Sequence, residues 1–327
     1  MHLRTGLHTT LASIAWASAM SAPTSTNAAD DYPNRPVRVI VNSSAGGLTD
    51  VVGRLVTSRL STQLGHSFVI DNRAGQAVIG ADALAKSKPD GYTIGVLGSS
   101  LSALPALLPA MPFNPERDLV PVALLSSSPL VLVTHPTSPY RTLADYVKAA
   151  KARPGELAFA SGGVATMGHL LAEQLQVHAG LQLIHVPYKG GAPAMTGLLA
   201  GQVSMFFDAL GTTINLAKEA RVRPLALAAV KRAAVLPDVP TLAEAGYAQV
   251  QGNGWYGMFA PSGTSPDQLA RLNAEVNKAL QAPEVKDKLT ALGSVAEGGS
   301  PQVLADLLTI EVPRWSKLVR ERGIKPE

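Results

Sequence analysis

Val37-Arg38-Val39-Ile40-Val41-Asn42-Ser43-Ser44-Ala45-Gly46-Gly47-Leu48-Thr49-Asp50 decides the fold of this chain. Its first five residues are β-branched apart from Arg38 and read as a buried strand. Ala45-Gly46-Gly47 breaks the strand, and Val51, Val52, Leu55, Val56, Leu60 and Leu64 follow at helical spacing up to a stop at Gly65. Ser67 to Asp71 gives a second strand, Asn72 to Gly75 a turn, Ala81 to Lys86 a helix, and Tyr92 to Leu97 a third strand. A β-α-β-α-β order of this kind predicts a parallel sheet covered by helices.

The alternation continues beyond a proline-rich stretch, Pro105 to Pro121. Strands are expected at 120–125, 130–134, 157–160, 183–186, 203–207 and 225–228, with helices at 143–152, 167–178, 191–200 and 212–220 between them. Near Gly252 the composition turns glycine-rich and aromatic, a strand runs to Pro261, and amphipathic helices follow at 266–280 and 301–323, the last kinked by Pro313. The expected architecture is α/β with two lobes, each a mostly parallel sheet flanked by helices, and two inter-lobe crossovers. Lobe 1 holds residues 29–127 and 250–327, and lobe 2 holds 128–249.

The 327 residues are 46% hydrophobic and 16% charged, enough apolar material for about two domains. A net charge of +4 is spread without a basic stripe or interleaved aromatics, which argues against nucleic-acid binding. The absence of cysteine removes disulfides, thiolate nucleophiles and cysteine metal sites. Arg4, the apolar run Leu11 to Met20 and the small pair Ala28-Ala29 read as an export signal over 1–28, cleaved near Ala28. An exported chain with no cysteine for a lipid anchor is expected in a periplasm.

In open parallel sheets, ligands bind beyond the carboxyl ends of strands. Three turns qualify: Asn42 to Asp50, including Ser43, Ser44, Ala45, Gly46, Gly47 and Thr49; Gly98-Ser99-Ser100; and Ser161 to His169, including Gly163 and Thr166. Each joins small residues and hydroxyls to unpaired N–H groups. A helix start carries free donors and partial positive charge, which suits an anion. No Gly-Lys-Ser/Thr phosphate motif occurs. Asp50 either stabilises its helix start or meets a polar part of a ligand. His169 either donates to a carboxylate or is a first-turn surface or core histidine. Asp208, after the strand 203–207, either meets a ligand amine or hydroxyl or caps the next helix. Trp255 beside glycines reads as packing at a hinge.

Longer segments resemble the substrate-binding receptors of tripartite tricarboxylate transporters, often called Bug receptors. They are Tyr32-Pro33-Asn34-Arg35-Pro36-Val37, Ala45-Gly46-Gly47-Leu48-Thr49-Asp50, Asp71-Asn72-Arg73-Ala74-Gly75 and Pro89-Asp90-Gly91-Tyr92-Thr93. Further along come Ser161-Gly162-Gly163 with His169, His185-Val186-Pro187-Tyr188-Lys189-Gly190, Leu236-Pro237-Asp238-Val239-Pro240-Thr241 and Trp255-Tyr256-Gly257. The resemblance implies a two-lobed periplasmic-binding-protein fold that closes like a Venus flytrap on a small carboxylate. The implied contacts are Ser43 to Thr49, Ser99, Ser100, Ser161, Gly163, Thr166, His169 and Asp208. It further implies delivery of the ligand to a large and a small membrane subunit; a monomer with no cofactor is expected. Two departures stand out: Asn42-Ser43-Ser44 replaces the family's proline and aromatic, and Gln76 interrupts a usual glycine run.

A ligand sensor that signals to a membrane kinase would use the same closure and remains an alternative. A hydrolase has less support: no Gly-x-Ser-x-Gly elbow and no His-Glu-x-x-His appears.

Overall fold

The computed structural model describes residues 1–2, 32–73, 77–108 and 110–325. The expected signal segment and Gln76 lie outside them. In chain order come β1 (Val37–Val41), α1 (Leu48–Leu64), β2 (Phe68–Asn72), α2 (Ala77–Ala85) and β3 (Thr93–Gly98). A 3-10 turn (Ser99–Ala103) and short helices α3 (Leu104–Leu107) and α4 (Pro115–Asp118) occupy the proline-rich stretch. Then follow β4 (Leu119–Ser128), β5 (Leu130–Thr134), α5 (Leu143–Ala152), β6 (Ala158–Ser161), α6 (Met167–Ala179), β7 (Ile184–Pro187), α7 (Gly191–Leu199), β8 (Met205–Ala209), α8 (Leu210–Lys218) and β9 (Arg223–Ala228). The chain ends with β10 (Gly254–Pro261), α9 (Pro266–Gln281), α10 (Pro283–Ala291), β11 (Val295–Ala296) and α11 (Pro301–Arg322).

Two sheets form, ordered β11-β4-β10-β3-β1-β2 and β7-β6-β8-β5-β9. Parallel pairing holds where a helix carries the chain back: β1 with β2 and β3, and β6 with β7 and β8. The strands that carry the chain between lobes pair antiparallel instead, β10 with β3 and β4, and β5 with β8 and β9. Both sheets are therefore mixed rather than mostly parallel. Only Pro129 separates β4 from β5, so the chain passes from the first sheet into the second within one residue.

The first sheet packs Val39, Val41, Ile94, Val96 and Met258 against α1 and α9. The second packs Phe159, Leu132, Met205 and Phe207 against α5 and α6. Helix α11 serves both cores. Leu304 and Leu308 lie with Trp255 and Phe259, whereas Trp315, Leu318 and Val319 lie with Leu170 and Leu171 of α6. Pro313 stands between these groups, inside an unbroken helix.

Candidate ligand site

The turn after β1 is tied down by Asp50. Its Oδ2 accepts from the Gly46 N–H at 2.9 Å and from Arg54 Nε at 3.0 Å, and its Oδ1 accepts from Asn72 Nδ2 at 2.9 Å. Asn72 Nδ2 also donates to the Ser43 carbonyl at 3.1 Å. Burial alone would raise this carboxyl. The hydrogen bonds from Arg54, Gly46 and Asn72, with the Arg54 charge, outweigh it and hold Asp50 below the usual carboxylate range. The Gly47 N–H donates to the Ser44 carbonyl at 3.2 Å. Gly46 and Gly47, expected as free donors, thus have their amides engaged within the turn. No side chain caps α1, so its first-turn N–H groups, at Leu48 and Thr49, lack a capping acceptor. Ser44, Ala45 and Gly46 are exposed; Ser43, Gly47 and Thr49 are half-buried.

The second turn lies beside the first. The Gly98 N–H donates to Asn42 Oδ1 at 3.2 Å, and a Cβ on Gly98 would stand 3.2 Å from Thr49 Oγ1. Ser99 is buried, with its carbonyl accepting from Ser102 Oγ at 2.7 Å, whereas Ser100 keeps part of its surface.

The third turn is the most constrained. Gly163 at φ 125° and Ala165 at φ 59° both occupy the region that favours glycine. An alanine held there stores strain that its surroundings must over-determine. Two groups do so. Ser161 Oγ, wholly buried, contacts the Gly163 carbonyl at 3.0 Å and the Gly163 N–H at 3.2 Å. His169 Nδ1 accepts from the Ala165 N–H at 3.0 Å, so the pattern places the ring proton on Nε2, 3.6 Å from Glu173 Oε1. His169 is 3% exposed and has no ring nitrogen left for a ligand, so of the two roles read from the sequence the internal one fits its position.

Behind the turn runs a chain of side chains that the sequence did not reveal. Ser161 Oγ lies 2.6 Å from His185 Nε2. His185 stacks on His169 with ring centroids 3.8 Å apart and planes within 11°. Glu173 receives Gln176 Nε2 at 2.9 Å on Oε1 and Arg322 Nε at 2.6 Å on Oε2. Burial, and then the neighbouring His169, push His185 down from 6.5 to about 4, so the imidazole is neutral near neutral pH.

A fourth strand-to-helix turn joins the site, Gly190-Gly191 between β7 and α7. A Cβ on Gly162 would stand 3.3 Å from the Gly190 carbonyl carbon and the Gly191 nitrogen, so these two turns abut. A Cβ on Gly191 would stand 3.2 Å from Asp208 Oδ1. The signal was a glycine pair opening a helix after a strand, the same rule that picked out the other turns. Neither α6 nor α7 has a side-chain cap; Thr166 sends its hydroxyl back to the Gly163 carbonyl at 2.9 Å.

Asp208 lies one residue before the end of β8 and does not cap α8 in the usual way. Its Oδ2 contacts the hydroxyls of Thr212 and Thr213, both at 2.8 Å. Burial pushes its carboxyl up, and the hydrogen bonds from Thr212, Thr213 and the Ala209 amide offset this only in part. Tyr256 of β10 sits close enough for Asp208 to raise its phenol further, beyond the larger effect of burial. Tyr256 is also the register partner of Gly98. Neighbours run from Thr49 through Gly98 to Tyr256 in one lobe and from Asp208 through Gly191 to Gly162 in the other, and Asp208 acts on Tyr256 across the seam. The lobes also touch where a Cβ on Gly211 would meet the Leu292 carbonyl oxygen at 2.3 Å. Trp255 is buried and donates Nε1 to Glu311 Oε2 at 2.7 Å, a packing role at the crossover.

Two surface depressions lie elsewhere, one at Pro105 to Arg117 and one around Arg38 and Lys86, and neither is lined by these turns. Among the described residues no helix is long and apolar enough to cross a membrane.

Residues 52–324 match the tripartite tricarboxylate transporter family receptor. The chain belongs to this family. The Bordetella pertussis protein BugT is 38% identical to this receptor over 312 residues, covering 94% of each chain. Among solved structures, an R. palustris protein with adipate is 34% identical with a TM-score of 0.85, covering 91% of the receptor and 100% of that chain. MatC from Rhodopseudomonas palustris, with bound malate, is 33% identical with a TM-score of 0.82, covering 88% and 100%. The receptor shares their two-lobed fold.

Proposed function

We propose that this receptor captures a small organic carboxylate between its lobes in the periplasm and hands it to the large and small membrane subunits of a tripartite transporter, without altering it chemically. The observation that supports the reading is the nearness of Tyr256, which neighbours Gly98 and through it Thr49, to Asp208, which neighbours Gly191 and through it Gly162; the uncapped starts of α1, α6 and α7 border these residues. Helix starts offer several N–H donors and a partial positive charge to a carboxylate. Each hydrogen bond to a charged group contributes on the order of 1.5–3 kcal/mol. Ser43, Ser44, Ala45, Thr49, Ser99 and Ser100 form one wall; Ser161, Gly163, Thr166 and Asp208 form the other. His169 and the engaged amides of Gly46 and Gly47 hold the turns in shape. Adipate and malate bound by related structures support the ligand class. The export signal expected over 1–28 supports the compartment.

Ligand-free receptor, prepared by unfolding and refolding, is melted with adipate, malate, aromatic acids and acidic amino acids. A ligand at 100 times its dissociation constant stabilises by ~2.7 kcal/mol. A flat melting temperature across all of these acids overturns the reading, as does a mass change in a recovered acid.

A further inference from the structure

The carboxylate reading above puts an anionic ligand beside Asp208. Asp208 forms no ion pair among the described residues. The elements around it supply hydroxyls and glycine rather than charge: Val131 opposite on β5, Gly191 on α7, and Thr212 and Thr213 on α8. The titratable group that faces it is Tyr256 of β10, which bears no charge near neutral pH. Lys189, just before α7, is exposed to solvent.

The hydrogen bonds around Asp208 are lopsided. Both threonine hydroxyls meet Oδ2, the Ala209 amide is a further donor to the carboxyl, and among the described residues no side chain hydrogen-bonds Oδ1, the oxygen that faces Gly191. The Thr212 hydroxyl has one hydrogen and two acceptors, Asp208 Oδ2 and the Ala209 carbonyl at 2.9 Å. This is a poor cradle for an ionised carboxylate. It suits a carboxylic acid whose carbonyl oxygen, Oδ2, accepts from threonine while Oδ1–H points outward as a donor. A buried acid held neutral in order to donate to an oxyanion is established chemistry in other proteins.

We propose that Asp208 meets the ligand carboxylate as a neutral acid, so that the receptor takes up a proton from solvent when it binds. The proton resides on Oδ1 and is shared with a ligand oxygen; no bond in the ligand breaks. The proposal rests on the carboxylate reading above, and it makes binding weaken as the medium becomes alkaline. A carboxylic acid also selects against ligands that present an ammonium at this point, since its proton meets theirs.

The test uses the receptor with ¹³Cγ-labelled aspartate and adipate as probe. The Asp208 signal, assigned by its loss in Asp208→Asn, titrates well above the ordinary aspartate range in ligand-free protein and higher still with adipate. Calorimetry in buffers of different ionisation enthalpy shows uptake rising towards one proton per adipate. The dissociation constant then rises about tenfold per pH unit above the Asp208 midpoint. Asp208→Asn, whose amide also donates, keeps affinity within about tenfold and loses the pH dependence; Asp208→Ala binds far more weakly. An Asp208 signal that titrates near the ordinary value in both states overturns the proposal. So does heat that is independent of the buffer, or loss of binding in a folded Asp208→Asn protein, the result expected if an ionised Asp208 accepts from a ligand amine or hydroxyl. Failure of adipate to bind wild-type receptor counts against the carboxylate reading, and the ligand-free titration still decides Asp208.

Discussion

Acid should loosen this receptor through His185. The imidazole is pushed from 6.5 to about 4 by burial and by His169, on which it stacks at 3.8 Å. The unfolded chain takes up this proton near 6.5, and the folded protein resists it until about 4. Between those values the unfolded state holds more protons, so stability is full above the unfolded value, falls as pH falls towards 4, and then levels. Each pH unit between the two values is worth ~1.4 kcal/mol, about 3 kcal/mol in all. The ring is only half-buried, and solvent screening reduces this to about 1.5 kcal/mol. Urea midpoints measured from about pH 7.5 to 4 in wild type and His185→Phe isolate the effect, because phenylalanine keeps the stack and cannot titrate. Wild type should lose about 1.5 kcal/mol more than the variant across this window. Parallel losses would refute the argument, and so would an NMR titration that places His185 near its ordinary value.

Gly168→Ala should lower the urea midpoint by about 1–3 kcal/mol or more, because its Cβ would lie 2.3 Å from the Phe207 carbonyl oxygen, which cannot move aside; an unchanged midpoint would show that β8 yields. Arg322→Gln should cost about 1–3 kcal/mol by leaving Glu173 buried with a lost partner, judged by denaturation. That deficit should shrink as the medium becomes acidic enough to protonate Glu173, whose carboxyl is raised by burial but held low overall by His169 and Arg322. Asp50→Ala should cost about 1–3 kcal/mol and weaken adipate binding, since Gly46, Arg54 and Asn72 lose their common acceptor; calorimetry with an unaltered affinity would separate that turn from the site.

The alternation of β-branched runs with helical spacing made the two lobes legible, because strands buried on both faces read as continuous apolar stretches. Pairing direction was not written there: β4 and β5 look like any buried strands, and which strands each one meets depends on how the chain passes from one sheet into the other. Helix α10 escaped notice because it buries only Val285 and Leu289, one helical step apart, among charged residues. The glycine turns were readable since turn chemistry is local. The roles of His169 and His185 were not. His185 meets Ser161 and His169 only because α6 folds back between them, and a histidine at a helix start looks the same whether it serves a ligand or its own backbone. Tyr256 was quoted only as part of a motif, because its nearness to Asp208 depends on how the lobes meet.

Helix α11 limits how such a receptor can move. It is rooted by Leu304 and Leu308 in one core and by Trp315, Leu318 and Val319 in the other. The halves therefore cannot swing apart as bodies joined by two slack ribbons. Any widening must bend a rod at Pro313, where one rung of the hydrogen-bond ladder is missing, or draw its final turns out of their socket. The rod acts as a leaf spring: it sets a rest angle and a limit of travel, and the tail of the chain becomes a working part of the jaw.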